Sequence, residues 1–367
     1  MKMKKFFAGM AAALLAAVLF FSYNVDAVSA DSAIVMDAQT GRVLFEKNAD
    51  KRSLIASTTK IMTALIVCEQ CNVLDRMRIP KEAVGIEGSS MYLQEGEVLT
   101  IQELLYGLML HSGNDAAVAL AIYCGGTVEG FAQLMNDKAH RLGMENTHFE
   151  NPNGLDSPGH YATARDMAIL AAYAMKNPVF AKTVSTKSVC VGQRYLTNHN
   201  KLLWRFPGAD GIKTGYTKAA GRILISSATR NDRRLIAVTM NDPNDWADHT
   251  ALLEQGFSEY TLTYLVQKEQ CVGTIEVAGG TTARVALIAE EDFCYPLSEK
   301  EVVDIVQSPL GFVYAPVIKN QDAGFVYVCI DDRPVGKVRV SYGETVEQQK
   351  RLQKKNVIQK LFGEWLS

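Results

Sequence analysis

Three short polar motifs stand in a fixed order along this chain, and their residues are suited to acyl transfer. Ser57 lies three residues before Lys60, Ser-Gly-Asn follows at 112–114, and Lys-Thr-Gly follows at 213–215. Taken singly, Ser57 could be a helix N-cap, Asn114 a turn residue, and the two lysines solvated surface charges. Together and in this order, the motifs predict one catalytic site with a serine nucleophile.

The spacing of the first motif would let Lys60 activate Ser57. Helical periodicity begins at residue 57 and continues to about residue 75, and on a helix the side chains at i and i+3 are neighbours. A serine hydroxyl needs a base, and a lysine can be that base only when burial or a nearby cation lowers its pKa. Lys213 is a candidate for that cation, and the positive helix N-terminus acts in the same direction.

The other two motifs fall where they could complete a cleft. Ser112 and Asn114 lie between two predicted helices, in a loop from which polar side chains can reach a ligand. The third motif precedes a strand pattern at residues 222–228, so it is expected on or beside an adjoining strand. Gly215 would allow a second backbone to approach, and an extended peptide could pair along that strand edge.

The elements that position these motifs change from strand to helix and back to strand. Alternating apolar residues around a Thr-Gly turn predict a β-hairpin near residues 32–46. Helical patterns, one with a Thr100 to Glu103 capping box, follow at residues 57–75, 100–110, 115–123, 128–142 and 163–175. Strand patterns return at residues 222–228 and 234–240. This order predicts a sheet assembled from distant parts of the chain, with helices on its faces.

Two further segments follow the predicted catalytic domain, which covers residues 31–266. Residues 267–343 contain short runs of Val, Ile and Thr between polar turns, which predict a small all-β domain. Residues 344–367 place apolar side chains at helical spacing opposite several lysines. This pattern predicts an amphipathic helix that lies on an anionic membrane surface, or one that packs on the β domain or self-associates.

The first thirty residues have the pattern of a signal peptide. Three lysines precede an apolar run at residues 6–21, and small residues at 28–30 offer a cleavage site. The apolar run is shorter than the roughly twenty residues of a spanning helix, although a retained N-terminal anchor is the alternative. We expect a secreted protein at the extracytoplasmic face of the bacterial cell membrane.

Composition and cysteine usage argue against several classes of protein. The net charge of −2 becomes −4 when residues 1–30, with three lysines and one aspartate, are removed. No basic block with interleaved aromatic residues occurs in the first 340 residues, so no nucleic-acid partner is expected. Cys68 and Cys71 lie in a helical stretch, and buried or idle thiols are expected for the seven scattered cysteines. The sequence predicts no cofactor and no metal site.

The motifs, the leader, the β domain and the basic tail resemble the low-molecular-mass penicillin-binding proteins, which are serine-type D-alanyl-D-alanine carboxypeptidases of the peptidase S11 family. Matching stretches occur at residues 151–155, 198–203 and 211–217, and the resemblance covers nearly the whole chain. It implies a β-lactamase/transpeptidase-like α/β (α+β) fold with a central antiparallel sheet flanked by helices. It also implies hydrolysis of the terminal D-Ala-D-Ala bond of peptidoglycan stem peptides, and acylation by β-lactams.

The resemblance further implies roles for the reacting residues. Ser57 attacks the carbonyl between the two D-alanines, and Lys60 is the general base. Ser112 helps to pass the proton to the departing amine, and Asn114 binds the substrate amide. Water then hydrolyses the acyl-enzyme.

For recognition of the substrate carboxylate, the resemblance implies Lys213 and Thr214. The backbone N–H groups of the nucleophile and of Tyr216 form the oxyanion hole, in which each donor contributes about 3 kcal/mol. The family often carries a carboxylate-binding arginine after the strand that follows the third motif. This chain is acidic there, at residues 241–249, so recognition rests on the third motif alone or also uses Arg222.

Other classes of protein share parts of this pattern. A class A β-lactamase would need a carboxylate to activate the deacylating water, for which Glu150 is a candidate, but Gly113 and the extra domain argue against it. A Ser-His-Asp hydrolase would need a G-x-S-x-G elbow, so His111 and His249 are expected to be structural. Metal-dependent hydrolysis lacks its H-E-x-x-H motif. A non-catalytic wall-binding or β-lactam-sensing protein would keep the same pocket.

Overall fold

The chain is divided into two compact units in a computed structural model that describes residues 28–307 and 311–350. The units are Met1–Tyr260 and Thr261–Ser367. The division comes earlier than the predicted boundary after residue 266, because strand Thr261–Val266 pairs with strand Phe293–Leu297 of the second unit. Most of the predicted signal peptide and of the C-terminal helix lies outside the described residues.

The first unit combines a sheet with helices. Its strands are β1 (Ser32–Asp37), β2 (Val43–Lys47), β3 (Arg76–Arg78), β4 (Val98–Thr100), β5 (Ser188–Val191), β6 (Arg194–Thr197), β7 (Ala209–Thr217), β8 (Gly221–Arg230) and β9 (Arg233–Met240). Its helices are α1 (Lys60–Gln70), α2 (Ile101–Leu110), α3 (Asn114–Gly125), α4 (Val128–Arg141), α5 (Ala164–Ala174), α6 (Pro178–Ser185), α7 (Leu202–Arg205) and α8 (Asp245–Glu259). A short 3₁₀ helix, Ala56–Thr59, immediately precedes α1.

The central sheet is antiparallel, as the family resemblance implied, with strand order β2-β1-β9-β8-β7. Side chains alternate across a strand, so each face of the sheet supports its own core. Ile34 and Met36 of β1 join the larger core with α1 to α6, whereas Val35 joins a smaller core with Leu252 of α8. This sheet therefore fixes β7, the edge strand that carries the third motif, relative to α1.

The predicted helices are confirmed with changed ends. Helix α2 has the predicted capping box, in which Thr100 and Glu103 satisfy each other's backbone N–H groups. The helix predicted for residues 57–75 instead begins at Lys60 and ends at Gln70. Cys71 already has an extended backbone, and Ser57 lies in the 3₁₀ helix before α1. Helices α6, α7 and α8 and the β5-β6 hairpin were not predicted.

The second unit consists of strands. They are β10 (Thr261–Val266), β11 (Cys271–Ala278), β12 (Arg284–Ala289), β13 (Phe293–Leu297), β14 (Val303–Gln307), β15 (Phe312–Tyr314), β16 (Asp322–Ile330) and β17 (Arg333–Tyr342). Six of them form a sheet in the order β14-β16-β17-β12-β11-β15 around an apolar core. Val346 is buried and bridges Val317, and Gln348 bridges Gly280. The packed chain therefore continues past residue 343, where the predicted β domain ended.

The chain is already packed at residues 28–30. Val28 and Ala30 are buried, and the backbone N–H of Ser29 donates to Asp248 at 2.6 Å. The Ser29 hydroxyl also donates to Asp242 at 2.7 Å. The predicted catalytic domain, which began at residue 31, therefore omits three residues of the first unit.

Within the described residues, no single helix combines the length and apolar character needed to span a membrane. Helices α3 and α4 satisfy both criteria as a pair, but they are bent by 82° relative to each other.

Candidate active site

The nucleophile candidate, Ser57, is held at the junction of the 3₁₀ helix and α1. The Thr58 and Thr59 hydroxyls stabilise this turn by donating to the carbonyls of Ile55 and Ala56, at 2.5 and 2.8 Å. A 3₁₀ helix has three residues per turn, so the i, i+3 neighbourhood expected for Ser57 and Lys60 is kept. The Lys60 Nζ atom lies 2.9 Å from Ser57 Oγ.

Lys60 is fully buried and makes two further hydrogen bonds. Its Nζ lies 2.7 Å from Asn114 Oδ1 and 2.6 Å from the carbonyl oxygen of Asn153. Burial lowers the pKa of Lys60 well below its usual value, the nearby Lys213 lowers it further, and Asp115 opposes both effects. Lys213 thus lowers the pKa of Lys60 as predicted, but burial is the larger cause of that lowering.

The three partners of Lys60 determine where a neutral amine would point its lone pair. Both carbonyl oxygens, of Asn114 and of Asn153, can only accept hydrogen bonds. The Asn114 side chain cannot simply be reversed, because its Nδ2 donates to the Glu87 carbonyl at 2.5 Å. A neutral lysine has two N–H groups, which these two carbonyls use. The remaining lone pair therefore faces the hydroxyl of Ser57.

The second motif lies at a tight bend rather than wholly in a loop, since Asn114 is the first residue of α3. Ser112 has a positive φ of 62° and is buried at the cleft. A Cβ at Gly113 would stand 2.7 Å from Asp115 Oδ1, so a larger residue would collide there. The Asp115 carboxylate accepts from the Ser90 hydroxyl at 2.6 Å and from the N–H of Leu93 at 3.0 Å. It thereby holds the neighbouring loop.

The third motif lies within β7, as predicted. Lys213 is buried, donates to the carbonyl of Thr214 at 2.9 Å, and has its pKa lowered to about 7 by burial. A Cβ on Gly215 would lie 3.3 Å from the Ser57 nitrogen. Glycine at this position lets β7 lie against the turn that carries Ser57 without this tight contact. The Tyr216 side chain is exposed, so this residue can contribute its backbone to the site.

Residues 151–160 supply contacts to which the sequence analysis gave no role. Asn153 offers its carbonyl to Lys60, and Gly154, at φ +86°, packs so closely that a Cβ would meet the Ala56 carbonyl at 1.9 Å. His160 lies 2.7 Å from the Thr59 hydroxyl through Nε2 and accepts the Glu150 N–H at Nδ1. Burial lowers the pKa of His160 to about 4, so it supports this turn as a neutral ring. The only indication of these contacts in the sequence was that residues 151–155 match the family.

The motifs border one cleft of about 340 Å³. Its lining includes the motif residues Ser57, Ser112, Thr214, Gly215 and Tyr216, together with Ser89, His199, Lys201, Arg222, Ile223, Asp245 and Trp246. Arg222 and Asp245 form an ion pair at this cleft, with Nη2 2.7 Å from Oδ1 and Nε 3.1 Å from Oδ2. Asp245 therefore does not repel a substrate carboxylate as an isolated charge would, because Arg222 accompanies it.

The residues of the competing hypotheses lie elsewhere or have other partners. Glu150 is exposed, does not line this cleft, and accepts hydrogen bonds from Ser157 and from the Gly159 N–H. His249 is buried between Ser226 and Thr239 hydroxyls, which agrees with the structural role predicted for it. In residues 28–307 and 311–350, no group of three or more His, Cys, Asp or Glu side chains could hold a metal ion.

A serine beside a buried lysine, in a cleft between a helical region and a sheet edge, is the arrangement expected of a serine hydrolase that uses a lysine as its base. Sequence comparison agrees, since the D-alanyl-D-alanine carboxypeptidase family model matches residues 20–244. The chain belongs to this family, peptidase S11. Residues 260–348 match the C-terminal domain of penicillin-binding protein 5.

Individual relatives are similar along most of the chain. D-alanyl-D-alanine carboxypeptidase DacF of Bacillus subtilis is 33% identical over 335 residues, which are 87% of this chain and 86% of DacF. DacC of Escherichia coli is 36% identical over 346 residues, covering 89% and 86% of the two chains. Penicillin-binding protein 5 of Haemophilus influenzae has a similar structure, with a TM-score of 0.75 at 29% identity over 88% of this chain and 98% of that one. The predicted fold class is thus confirmed for both described units.

Proposed function

We propose that this protein hydrolyses the terminal D-Ala-D-Ala bond of peptidoglycan stem peptides through an acyl-enzyme on Ser57. The main supporting observation is the fully buried Lys60, whose Nζ lies 2.9 Å from Ser57 Oγ. The same Nζ also donates to the side-chain carbonyl of Asn114 and the backbone carbonyl of Asn153. Family membership supplies the substrate class, because the relatives are named D-alanyl-D-alanine carboxypeptidases. Trimming of pentapeptides would limit cross-linking of the wall.

The acylation step follows from the direction of the Lys60 lone pair. Lys60 takes the proton of the Ser57 hydroxyl as Oγ attacks the carbonyl carbon between the two D-alanines. The backbone N–H groups of Ser57 and Tyr216 would stabilise the oxyanion. The C–N bond then breaks, and the departing amine receives a proton passed through Ser112. D-alanine leaves, and a water molecule hydrolyses the ester on Ser57.

The edge strand β7 is the proposed platform for the substrate peptide. It is the outer strand of the central sheet, so an extended peptide can add to it through main-chain hydrogen bonds. Asn114 would bind the substrate amide, and Lys213 and Thr214 would bind the terminal carboxylate. Penicillins present a carboxylate and a reactive amide in a similar relation. We therefore expect β-lactams to acylate Ser57 and to leave slowly.

Arg222 is the candidate for the second carboxylate-binding cation. It pairs with Tyr216 across β7 and β8, which places it beside the third motif. Its Nε and Nη2 donate to Asp245, so the ion pair holds the guanidinium at the cleft while Nη1 is not engaged by that carboxylate. Arg222 would thus take the place of the arginine that the family often carries after the next strand.

Export and membrane attachment form a separate part of the proposal. The leader pattern supports secretion, and the burial of Val28 and Ala30 favours cleavage before residue 28 rather than after residue 30. Val-Asp-Ala at 25–27 offers small residues at suitable positions. N-terminal sequencing of the exported protein should begin at Val28. A first residue of Asp31 would show that the packed segment is dispensable.

The basic segment at residues 344–367 is proposed to bind the membrane surface, but its first residues are structured. Because Val346 and Gln348 pair within the second unit, the informative truncation removes residues 351–367 only. This truncated protein should leave the membrane fraction with its activity on small peptides intact. Continued sedimentation with membranes would place the anchor elsewhere.

The enzyme activity is tested by release of free D-alanine from a Lys-D-Ala-D-Ala peptide. We expect Ser57→Ala to lower this release by roughly 10⁴-fold or more, because the nucleophile is removed. Ser258→Ala is a matched control, since Ser258 is exposed on α8, donates to the Gln255 carbonyl and does not line the cleft. Covalent labelling by a fluorescent penicillin without D-alanine release would instead favour a β-lactam sensor. Undiminished release by Ser57→Ala would refute the role of Ser57.

A further inference from the structure

Two cysteine sulfur atoms approach each other far from the catalytic cleft. Cys71 Sγ and Cys124 Sγ are 2.8 Å apart, although the residues are separated by 53 positions in the sequence. Cys71 directly follows α1, and Cys124 lies in the last turn of α3. Buried or idle thiols were expected for the seven cysteines, so this pairing was not predicted.

The distance is too short for two thiols that merely touch. Non-bonded heavy atoms have their best separation at roughly 3.5–4.0 Å even for carbon, which is smaller than sulfur. A disulfide bond is about 2.05 Å long. The two sulfur atoms are therefore already closer than unbonded contact, and a shift of less than about 1 Å would bring them to bonding distance.

We propose that Cys71 and Cys124 form a disulfide bond in the mature protein. Two thiols each lose one proton and together give up two electrons, and one S–S bond forms. The oxidant is a disulfide, of an oxidoreductase or a small molecule, which is reduced to its two thiols by exchange. In the cell this step rests on the export proposed above, because disulfides persist in oxidising compartments and are rare in the cytosol.

The neighbouring Cys68 is the natural competitor for Cys71, since the two form a C-x-x-C pair. Burial raises the pKa of Cys68 to about 12, so its thiol resists conversion to the reactive thiolate. Cys71 is only partly buried, and its extended backbone has left the helix, which gives an oxidant access. Hydrogen bonding to Cys71 and burial raise the pKa of Cys124 as well, so thiol reactivity does not separate Cys68 from Cys124. The 2.8 Å approach of the Cys71 and Cys124 sulfur atoms favours their pairing.

The proposed bond would join the far ends of the two helices that carry the reacting groups. Helix α1 begins with Lys60 and α3 begins with Asn114, and these residues bond to each other at 2.7 Å. Cys71 and Cys124 hold the opposite ends. Closing a loop of this length restricts the unfolded chain, so the bond should chiefly raise thermal stability. It would also hold the catalytic helices in a constant relation when the protein is warmed.

The test uses the full-length purified protein and oxidised glutathione as the probe. Free thiols are alkylated under denaturing conditions, and the digest is mapped by mass spectrometry before and after reduction. We expect a linked peptide pair that contains Cys71 and Cys124 and lacks two hydrogen atoms relative to the reduced pair. Free Cys71 and Cys124 after this oxidation, or a Cys68–Cys71 bond in their place, would overturn the proposal.

Thermal unfolding of matched variants gives a second, independent readout. Reduction of the wild type should lower its Tm by about 5 °C or more, and Cys71→Ser should remove this dependence on reductant. Cys68→Ser should keep it. D-alanine release at 25 °C should be unaffected by Cys71→Ser, so loss of the catalytic proposal and loss of the disulfide proposal are distinguishable. A wild-type Tm that is insensitive to reductant would contradict the bond.

Discussion

The two units of this chain bury different kinds of side chain. The first unit encloses Lys60 and Lys213, with exposed fractions of 0% and 1%. In the described part of the second unit, the core is built mainly from Val, Ile and Leu, with Ala289 and Tyr342, and Ser341 is the buried polar residue. Burial of a charged group is costly unless the group is paired or loses its charge. The proposed reaction therefore accounts for the two buried lysines, whereas the apolar core of the second unit is accounted for by packing.

After loss of the nucleophile itself, the largest expected effect comes from removing the proposed base. Lys60→Ala should lower acylation by a fluorescent penicillin by roughly 10² to 10⁴-fold, because Ser57 loses its proton acceptor. The fold should persist, as circular dichroism can check. A Lys60→Ala protein that acylates at the wild-type rate would show that the base lies elsewhere. The burial of Lys60 in the first unit would then need another explanation.

Arg222 tests whether the cleft recognises the substrate through a second cation. Arg222→Gln should raise KM for a Lys-D-Ala-D-Ala peptide by about tenfold with little change in kcat, because a charge-assisted hydrogen bond to the carboxylate is lost. Arg222→Lys is the matched control and should lose less, since it keeps the charge. An unchanged KM in Arg222→Gln would leave carboxylate recognition to the third motif alone.

A pH profile tests the burial of Lys213. Its pKa is lowered to about 7, so it is charged below that pH and becomes neutral as the pH rises through 7. The attraction for a carboxylate substrate should then weaken, and kcat/KM should fall several-fold between about pH 7 and 8. Lys213→Arg stays charged and should lack this alkaline limb. The same alkaline limb in Lys213→Arg would assign it to another group.

The smallest effect on activity is expected from the second unit. Leu65 of α1 and Leu287 of β12 are both buried, so each truncation to alanine should cost about 2–5 kcal/mol in stability of its own unit. Leu287→Ala should release D-alanine from a small peptide within about twofold of the wild type, whereas Leu65→Ala perturbs the helix that carries Lys60. Thermal unfolding and D-alanine release measure both effects. Equal losses of activity would show that the second unit acts in catalysis.

The sequence was sufficient for features that depend on local pattern. Periodicity and turn chemistry depend on residues that are close in the sequence. They therefore revealed the capping box at Thr100, the β1-β2 hairpin and the three motifs. Ser57 lies in a 3₁₀ turn, whereas the sequence predicted the first turn of an α-helix. In both kinds of turn the side chains at i and i+3 are neighbours. Sequence spacing alone could not separate the two.

Features that depend on distant contacts were missed. The carbonyl of Asn153 accepts from Lys60, which is 93 positions away in the sequence. Every residue has a backbone carbonyl, so the residue type does not indicate this acceptor. The predicted β domain ended too early because Val346 forms a bridge to Val317. This long-range pairing cannot be recognised from a local sequence pattern. The pairing of Arg222 with Asp245 likewise needed the register of the sheet and the unpredicted helix α8.

The central claim is that Lys60 makes the Ser57 hydroxyl able to open an amide. Its most direct test is the intact mass of the protein after incubation with benzylpenicillin, followed by mapping of the adduct in a tryptic digest. The account predicts one covalent adduct, on the peptide that contains Ser57, and none in Ser57→Ala. No gain in mass, or an adduct on a different residue, would contradict it.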